Sequence, residues 1–209
     1  MVIKMLMEKI EDVIIKDEAI LSDLRFKNLY VSEMAICGYK YRNAIDNNLR
    51  IPHKWSFEIG NAFEYIIVKK LKKIYPNGNT QYKLNGNDKY IPVKEDKDFV
   101  GHCDFVDVES STVIEIKSSK SNNFNDIYYR QLFAYMLIGH FKNGILLKYN
   151  ILQDKMYEFN YSYQDALANE VNFFDNINAF YSNTYVKGIE NSICKFCENV
   201  KCPMNGVEI

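Results

Sequence analysis

The stretch GHCDFVDVESSTVIEIKSSK, Gly101 to Lys120, sets an acid, Asp104, and the triplet Glu115-Ile116-Lys117 inside segments whose alternating apolar residues read as core β-strands. A carboxylate in such a strand is costly to bury unless a partner neutralises it. A hairpin turning at Glu109-Ser110 sets Asp104 opposite Glu115 and His102 opposite Lys117, all four on one sheet face. Cys103 and Phe105, with Ile114 and Ile116, then fall on the other, apolar face, which makes Cys103 a core residue. Two carboxylates directly across a strand pair repel unless something cationic sits between them, and a metal ion would serve.

The rest of the chain supplies the frame for this hairpin. The spacing of apolar residues predicts helices over Asp17 to Leu29 and over Ser32 to Ile45, the second opened by Ser32 as a cap. A stronger helix spans Phe57 to Ile74 and stops at Tyr75-Pro76-Asn77-Gly78. Strands follow at Lys89 to Val93, Val100 to Val108 and Thr112 to Lys117, then a helix over Asn125 to Phe141. Gly144 to Leu152 and Lys155 to Tyr161 read as a hairpin turned at Gln153-Asp154, and Gln164 to Tyr181 as one long helix. The expected fold is α/β, a central sheet flanked by helices in one domain over residues 1–209.

Composition narrows the function class. With 26 Lys and Arg against 27 Asp and Glu, any contact with nucleic acid needs local segregation of basic groups. The opening MVIKMLMEKIEDVIIK is interrupted by Lys4, Glu8, Lys9, Glu11 and Asp12, so it supplies neither a signal-peptide core nor a membrane span, and the expected location is the cytoplasm. In that reducing compartment the five cysteines are expected as metal ligands or core residues rather than disulfides.

Two helices carry polar intruders on apolar stripes. The stripe of the 57–74 helix passes through Gly60, Asn61 and Glu64, and Glu64 reads either as a solvated stripe edge or as a third carboxylate for the site. On the 125–141 helix Tyr128, Gln131, Tyr135 and Ile138 share a face, where Gln131 reads either as a core-edge amide or as a site residue. Lys69-Lys70-Leu71-Lys72-Lys73 is a solvated basic face, whereas Lys117, Ser118, Ser119 and Lys120, just beyond the acid-bearing strand, are the better phosphate contacts. Among 16 Tyr and 13 Phe, Tyr128 or Tyr129 could stack bases if exposed.

Taken in order, Gly60-x-x-x-Glu64, Gly101-x-x-Asp104, Glu115-x-Lys117 and Gln131-x-x-x-Tyr135 resemble the motifs of the PD-(D/E)XK nuclease superfamily, and more narrowly of its RecB-like branch. The resemblance implies a restriction-endonuclease-like core and metal-assisted hydrolysis of phosphodiester bonds. Glu64, Asp104, Glu115 and the main-chain carbonyl of Ile116 would hold magnesium or manganese. Lys117 would orient or help deprotonate the attacking water, and Gln131 and Tyr135 would position water, Lys117 or the nucleic-acid backbone. Lys117, Ser118, Lys120 and Tyr135 would contact nucleic acid.

One early cysteine, Cys37, and the late run Cys194-x-x-Cys197-x4-Cys202-Pro203 resemble the iron-sulfur staple of such nuclease domains, as in the CRISPR-associated "Cas-four" type. Four thiolates can hold a [4Fe-4S] cluster or a tetrahedral zinc, and the resemblance favours the cluster. Segments 30–50 and 185–209 would form this subregion and tie the two ends of the chain together. Where that family carries a histidine this chain has Glu64, an oxygen donor suited to hard divalent ions. The implied activity is a deoxyribonuclease acting on single-stranded DNA or DNA ends, as exonuclease or endonuclease, with a homo-oligomer or CRISPR adaptation proteins as partners, in a prokaryotic cell or a virus-infected host. The alternative is a non-catalytic DNA-binding or docking subunit on the same fold, which would gain nothing from clustering acids against phosphate.

Overall fold

Strands buried on both faces lay down the middle of the sheet, and its two faces recruit different helices. The computed structural model describes residues 29–47, 55–85, 99–120, 126–192, 194–197 and 199–206. Six strands, β1 (Leu29–Tyr30), β2 (Asn79–Asn85), β3 (Phe99–Asp107), β4 (Thr112–Ser119), β5 (Asn143–Asn150) and β6 (Lys155–Ser162), form one mixed sheet. β4 and β5 run parallel from the pair Thr112–Asn143 to the pair Ser119–Asn150, while β2–β3, β3–β4 and β5–β6 are antiparallel. Among the described residues five α-helices flank the sheet: α1 (Val31–Asp46), α2 (Trp55–Ile74), α3 (Asp126–Gly139), α4 (Tyr163–Ala168) and α5 (Glu170–Ser182). Among the described residues no helix is long and apolar enough to cross a membrane.

The larger core joins Met34 of α1, Leu132 and Met136 of α3, and Phe173 and Phe180 of α5 to Cys103, Val106, Val113 and Leu146 of the sheet. On the opposite face α2 contributes Leu71, flanked by Phe63, Ile67 and Val68, against Phe105, Ile114 and Ile116. The 3.6-residue period of α2 and the two-residue period of β4 meet here, which fixes the roll of α2 and hence the direction of Glu64. α1 approaches α5 so closely that a Cβ on Gly38 would lie 1.8 Å from the carbonyl oxygen of Asn176. The Gly38 N–H is satisfied across this contact by Asn176 Oδ1 at 2.9 Å.

The expected α/β architecture is the observed one, with differences in detail. Ser32 is not the cap of its helix: Tyr30 occupies that position without a side-chain cap bond, and Ser32 lies in the first turn. The predicted 164–181 helix is two helices broken at Asn169, because Ser162 and Asp165 form a capping box that starts α4 and Asn169 ends it. β2, with the sequence NTQYKLN, has no counterpart in the sequence expectations; it pairs through its backbone and buries Leu84 while Asn79, Thr80, Gln81 and Lys83 are exposed. The strand expected at Lys89 to Val93 and nearly all of the helix expected at Asp17 to Leu29 lie outside the described residues. Leu29 itself belongs to β1.

Candidate active site at a fork in the sheet

β3 carries β2 along one edge, from the pair Asn79–Val106 to the pair Asn85–Val100. Val100 also pairs with Tyr30 of β1, and Phe105 also pairs with Ile114 of β4. A strand has two edges, so β1 and β4 must share the second one, β1 at its start and β4 at its end. The β3–β4 ladder covers Phe105–Ile114, Val106–Val113 and Asp107–Thr112 in the expected register, then β4 diverges from β3 to follow β5. The expected direct pairing of Asp104 with Glu115 and of His102 with Lys117 is therefore absent. Asp104 sits at the fork instead, its Oδ2 accepting the N–H of Ile116 at 2.7 Å.

The other edge is disturbed at the same level. Between the pairs Thr80–Phe105 and Tyr82–Cys103, Gln81 takes a positive φ of 47° and the β2–β3 ladder skips opposite Asp104. The side-chain alternation breaks here too. Cys103 and Val106 join the core under α1 and α3, while Phe105 joins the core under α2. The expectation that Cys103 shares a face with Phe105 is thus corrected, although Cys103 is a fully buried core residue as expected. The fork lets side chains from both faces of the sheet reach one place.

Glu115, on the strand face of Val113, is 0% exposed. Its Oε1 accepts the ammonium of Lys117, whose side chain is 24% exposed, and its Oε2 is buried with no hydrogen-bond partner. Burial, then the charge of Asp104, pushes the Glu115 carboxyl up to about 8, with Lys117 opposing. Burial likewise raises Asp104 against the pull of Lys117 and of the Ile116 N–H. Glu64 reaches in from α2, where burial and then Asp104 push it up to about 6 while Lys117 and Gln81 act the other way. Gln81 Nε2 donates to Glu64 Oε1 at 2.6 Å. Burial of Lys117 favours its free amine, yet Glu115, Asp104 and Glu64 outweigh that and hold the ammonium above its ordinary value.

Behind the acids stands α3. Gln131 Nε2 donates to the hydroxyl of Tyr135 at 3.0 Å, and burial together with the charge of Glu115 holds that phenol well above its usual range. A Cβ on Gly101 would lie 3.1 Å from Tyr135 Cε1, so the glycine of Gly101-x-x-Asp104 makes room for this ring. Tyr135 is 2% exposed. Ser118 is half-buried and Lys120 exposed at the end of β4. Tyr128 and Tyr129 lean half-buried on the larger core rather than standing free, and His102 meets the ring of Tyr30 edge-on at 6.1 Å. Lys69, Lys70, Lys72 and Lys73 are exposed, as a solvated helix face should be, with Lys69 over the ring of Tyr65.

The structure thus brings Glu64, Asp104, Glu115 and Lys117 together, with Gln131 and Tyr135 at their back. Gln81 was missed by the sequence reasoning, for it lies in a polar run with no apolar period to mark it. Three carboxylates against one ammonium, with a buried carboxylate oxygen unpaired, form a donor set suited to a hard divalent cation. Among the described residues no three His, Cys, Asp or Glu side chains converge closely enough to hold an ion as they stand.

A second group of titratable side chains lies at a break within α1. Cys37 interrupts α1 with φ −163° and ψ 103°, and the carbonyl of Ile36 accepts Asn191 Nδ2 at 2.6 Å. Arg130 of α3 donates to the carbonyls of Ile189 and Glu190 at 3.2 and 2.7 Å. These bonds dock the tail beside the break in α1. Cys37 there feels the charges of Cys197, Cys194 and Cys202, and its thiol is pushed up to about 11, first by burial and against the Lys40 N–H. N–H groups of Lys40 and Asn191 reach the sulfurs of Cys37 and Cys194 at 3.4 and 3.5 Å. The Met204 main chain does the same for Cys202.

The fold is that of restriction-endonuclease-like exonucleases. The protein SSO0001 superposes with a TM-score of 0.62 at 20% identity, over 86% of this chain and 87% of that one. The alkaline exonuclease LHK-Exo of Laribacter hongkongensis, also solved in complex with dAMP, gives 0.54 at 12% identity over 77% of this chain and 89% of its own. A phage-related exonuclease from Haemophilus somnus gives 0.51 at 9% identity over 77% and 96%. No protein-family model matches the chain, and no curated protein matches it by sequence.

Proposed function

We propose that this chain is a metal-dependent deoxyribonuclease that hydrolyses phosphodiester bonds in single-stranded DNA or at DNA ends. The observation that carries the reading is the wholly buried Glu115, with Oε2 unpaired, beside Asp104, Glu64 and one ammonium at a break in the sheet. Evolution of a stable core would not concentrate like charges there; a site for positive charge requires it. The exonuclease fold, and a nucleotide complex of one protein that shares it, support DNA as the substrate.

Magnesium or manganese held by Glu64, Asp104, Glu115 and the carbonyl of Ile116 would supply an acidified water and positive charge opposite the scissile phosphate. The chain's own residues do the rest. Asp104 is held in place by the Ile116 N–H, and Glu64 by Gln81. Lys117, kept cationic by its acid neighbours, orients the attacking water and meets the phosphate. Gln131 and Tyr135 form a protonated, uncharged backing that keeps Glu115 in register. Ser118 and the exposed Lys120 extend the phosphate contact along the end of β4. Fluorescent single- and double-stranded DNA incubated with manganese should be cut by the wild type and not by Glu115→Ala or Lys117→Ala. Cutting that persists in both variants would remove the site, and a wild type that binds DNA without cutting it would convert the reading to a binding subunit.

The four thiols of Cys37, Cys194, Cys197 and Cys202 are read as ligands of a [4Fe-4S] cluster, with zinc as the lesser alternative. N–H donors reach three of the sulfurs, the kind of outer contact that secures the ligand sulfurs of a metal centre. With that cluster the chain fits the Cas-four type, acting in the cytoplasm beside CRISPR adaptation proteins or copies of itself. Protein purified without oxygen should be brown and contain iron; a colourless protein with one zinc per chain would overturn the cluster.

A further inference from the structure

The tail holds one buried polar atom that neither site accounts for. Asn199 is 2% exposed, and its Nδ2 has no hydrogen-bond partner among the described residues. The orientation of the amide is not arbitrary. Oδ1 accepts the N–H of Lys201 at 3.2 Å, so a flip would place two donors face to face. The main-chain carbonyl of Asn199 accepts the N–H of Cys202 at 2.9 Å, which closes the turn from Asn199 to Cys202. A buried donor without an acceptor is rare in native proteins and marks a place where an acceptor is missing.

The sulfurs show which acceptor that is. Cys37 receives the Lys40 N–H, Cys194 the Asn191 N–H and Cys202 a main-chain donor at Met204. Among the described residues Cys197 receives none, and Asn199 stands two positions beyond it. A neutral thiol is a weak acceptor, whereas a metal-bound thiolate is a strong one. The orphan donor follows the undonated sulfur by two residues, and each lacks what the other offers.

We propose that Asn199 is a positioning residue of the four-cysteine centre, its Nδ2 donating to the Cys197 thiolate when the thiolates hold their metal centre. This rests on the reading that these cysteines bind a metal centre, and it holds for a [4Fe-4S] cluster or zinc alike. A hydrogen bond to a ligand sulfur secures the ligand and shifts the electron density of the centre.

The test measures how long full-length protein retains its metal against a competing chelator, for the wild type, Asn199→Ala and Asn199→Asp. Aspartate keeps the acceptor for the Lys201 N–H, removes the donor and adds a charge; alanine removes donor and acceptor without adding charge. Both variants should retain metal about 10-fold or more less well than the wild type. Their melting temperatures in excess chelator should match that of metal-free wild type. If the bound centre is an iron-sulfur cluster, its midpoint potential should fall in both. Retention at the wild-type level in either variant would overturn the proposal: alanine alone failing would assign the effect to the turn, aspartate alone failing to added charge. An equal loss of metal-free stability would overturn it as well. A wild type that binds neither iron nor zinc would instead sink the metal-centre reading beneath it.

Discussion

At the fork, three carboxylates and an ammonium stand on two strands and a helix whose positions are fixed by the packing of Leu71, Phe105, Ile114 and Ile116. At the cysteine site, four thiols stand on a helix break and on turns, held by Asn191, Arg130 and main-chain bonds. The fork exists because the fold is already stable; its charges oppose folding. The cysteine site has only a small apolar cluster, Tyr39, Ala179 and Ile189 with Cys37 and Cys202 packed against it. A variant at the fork should change chemistry more than stability, and a variant at the cysteines the reverse.

The sharpest contrast comes from Glu115→Gln and Lys117→Ala. Replacing Glu115 with glutamine should cut the rate of DNA cleavage roughly 10³-fold while leaving the melting temperature at pH 8 unchanged or higher, because it removes a buried charge. Lys117→Ala should abolish cleavage to a similar degree but also destabilise, since it strands Glu115. That cost should be on the order of 2 kcal/mol, below that of a wholly buried pair because the Lys117 side chain is 24% exposed. Cleavage assays and thermal melts of the two variants side by side would break the comparison if both lost stability equally.

Cys194→Ala tests the other region. Loss of a clip that closes the chain from Cys37 to Cys194 should cost on the order of 4 kcal/mol of unfolding free energy and release the metal. Cleavage per folded molecule, measured at low temperature, should survive. A Cys194→Ala protein as stable as the wild type would show that the tail is held by Arg130 and Asn191 without a metal centre.

These two regions were legible in the sequence to different depths. The register Phe105–Ile114 follows from the length of the Glu109-Ser110 turn, a local feature, and the sequence placed it correctly. The separation of the two strands at the very next residue could not be read, because it depends on β1, from far upstream, taking the edge of Phe99 and Val100. Gln81 and β2 were invisible for a related reason: NTQYKLN is an edge strand with two apolar residues, Tyr82 and Leu84, which is too short an alternation to mark it. The ligand spacing of the cysteines was plain, whereas the role of Asn191 in satisfying the Ile36 carbonyl emerges only when Cys37 is seen to break α1.

The raised acids also set a pH dependence between about pH 4.5 and 8. An acid whose folded value is raised binds its proton more tightly folded than unfolded, so stability is retained below the unfolded value of 4.5 and lost as pH rises through the folded one. For Glu64 that window closes at about 6 and for Glu115 at about 8. Lys117 stays an ammonium in both states throughout, so it adds no slope there. Protein stripped of divalent ions should therefore melt lower at pH 8 than at pH 5.5, and manganese should erase most of the difference. Equal melting temperatures at the two pH values would mean that Glu115 is not buried as a charge.

The smallest expected effect falls at Gly60, where α2 passes the end of β4. A Cβ there would lie 3.6 Å from Ser118 Oγ, an ordinary contact that requires no movement of either element. Alanine is a better helix former than glycine in mid-helix, so Gly60→Ala should raise stability by about 0.5–1 kcal/mol. The same methyl would stand between α2 and the hydroxyl assigned to phosphate, and DNA binding should weaken several-fold even as the melting temperature rises. Binding to a short single-stranded oligonucleotide, measured with and without Gly60→Ala, separates the two effects. If affinity is unchanged, the glycine serves only the approach of helix to strand, and the phosphate path runs on the Lys120 side of Ser118.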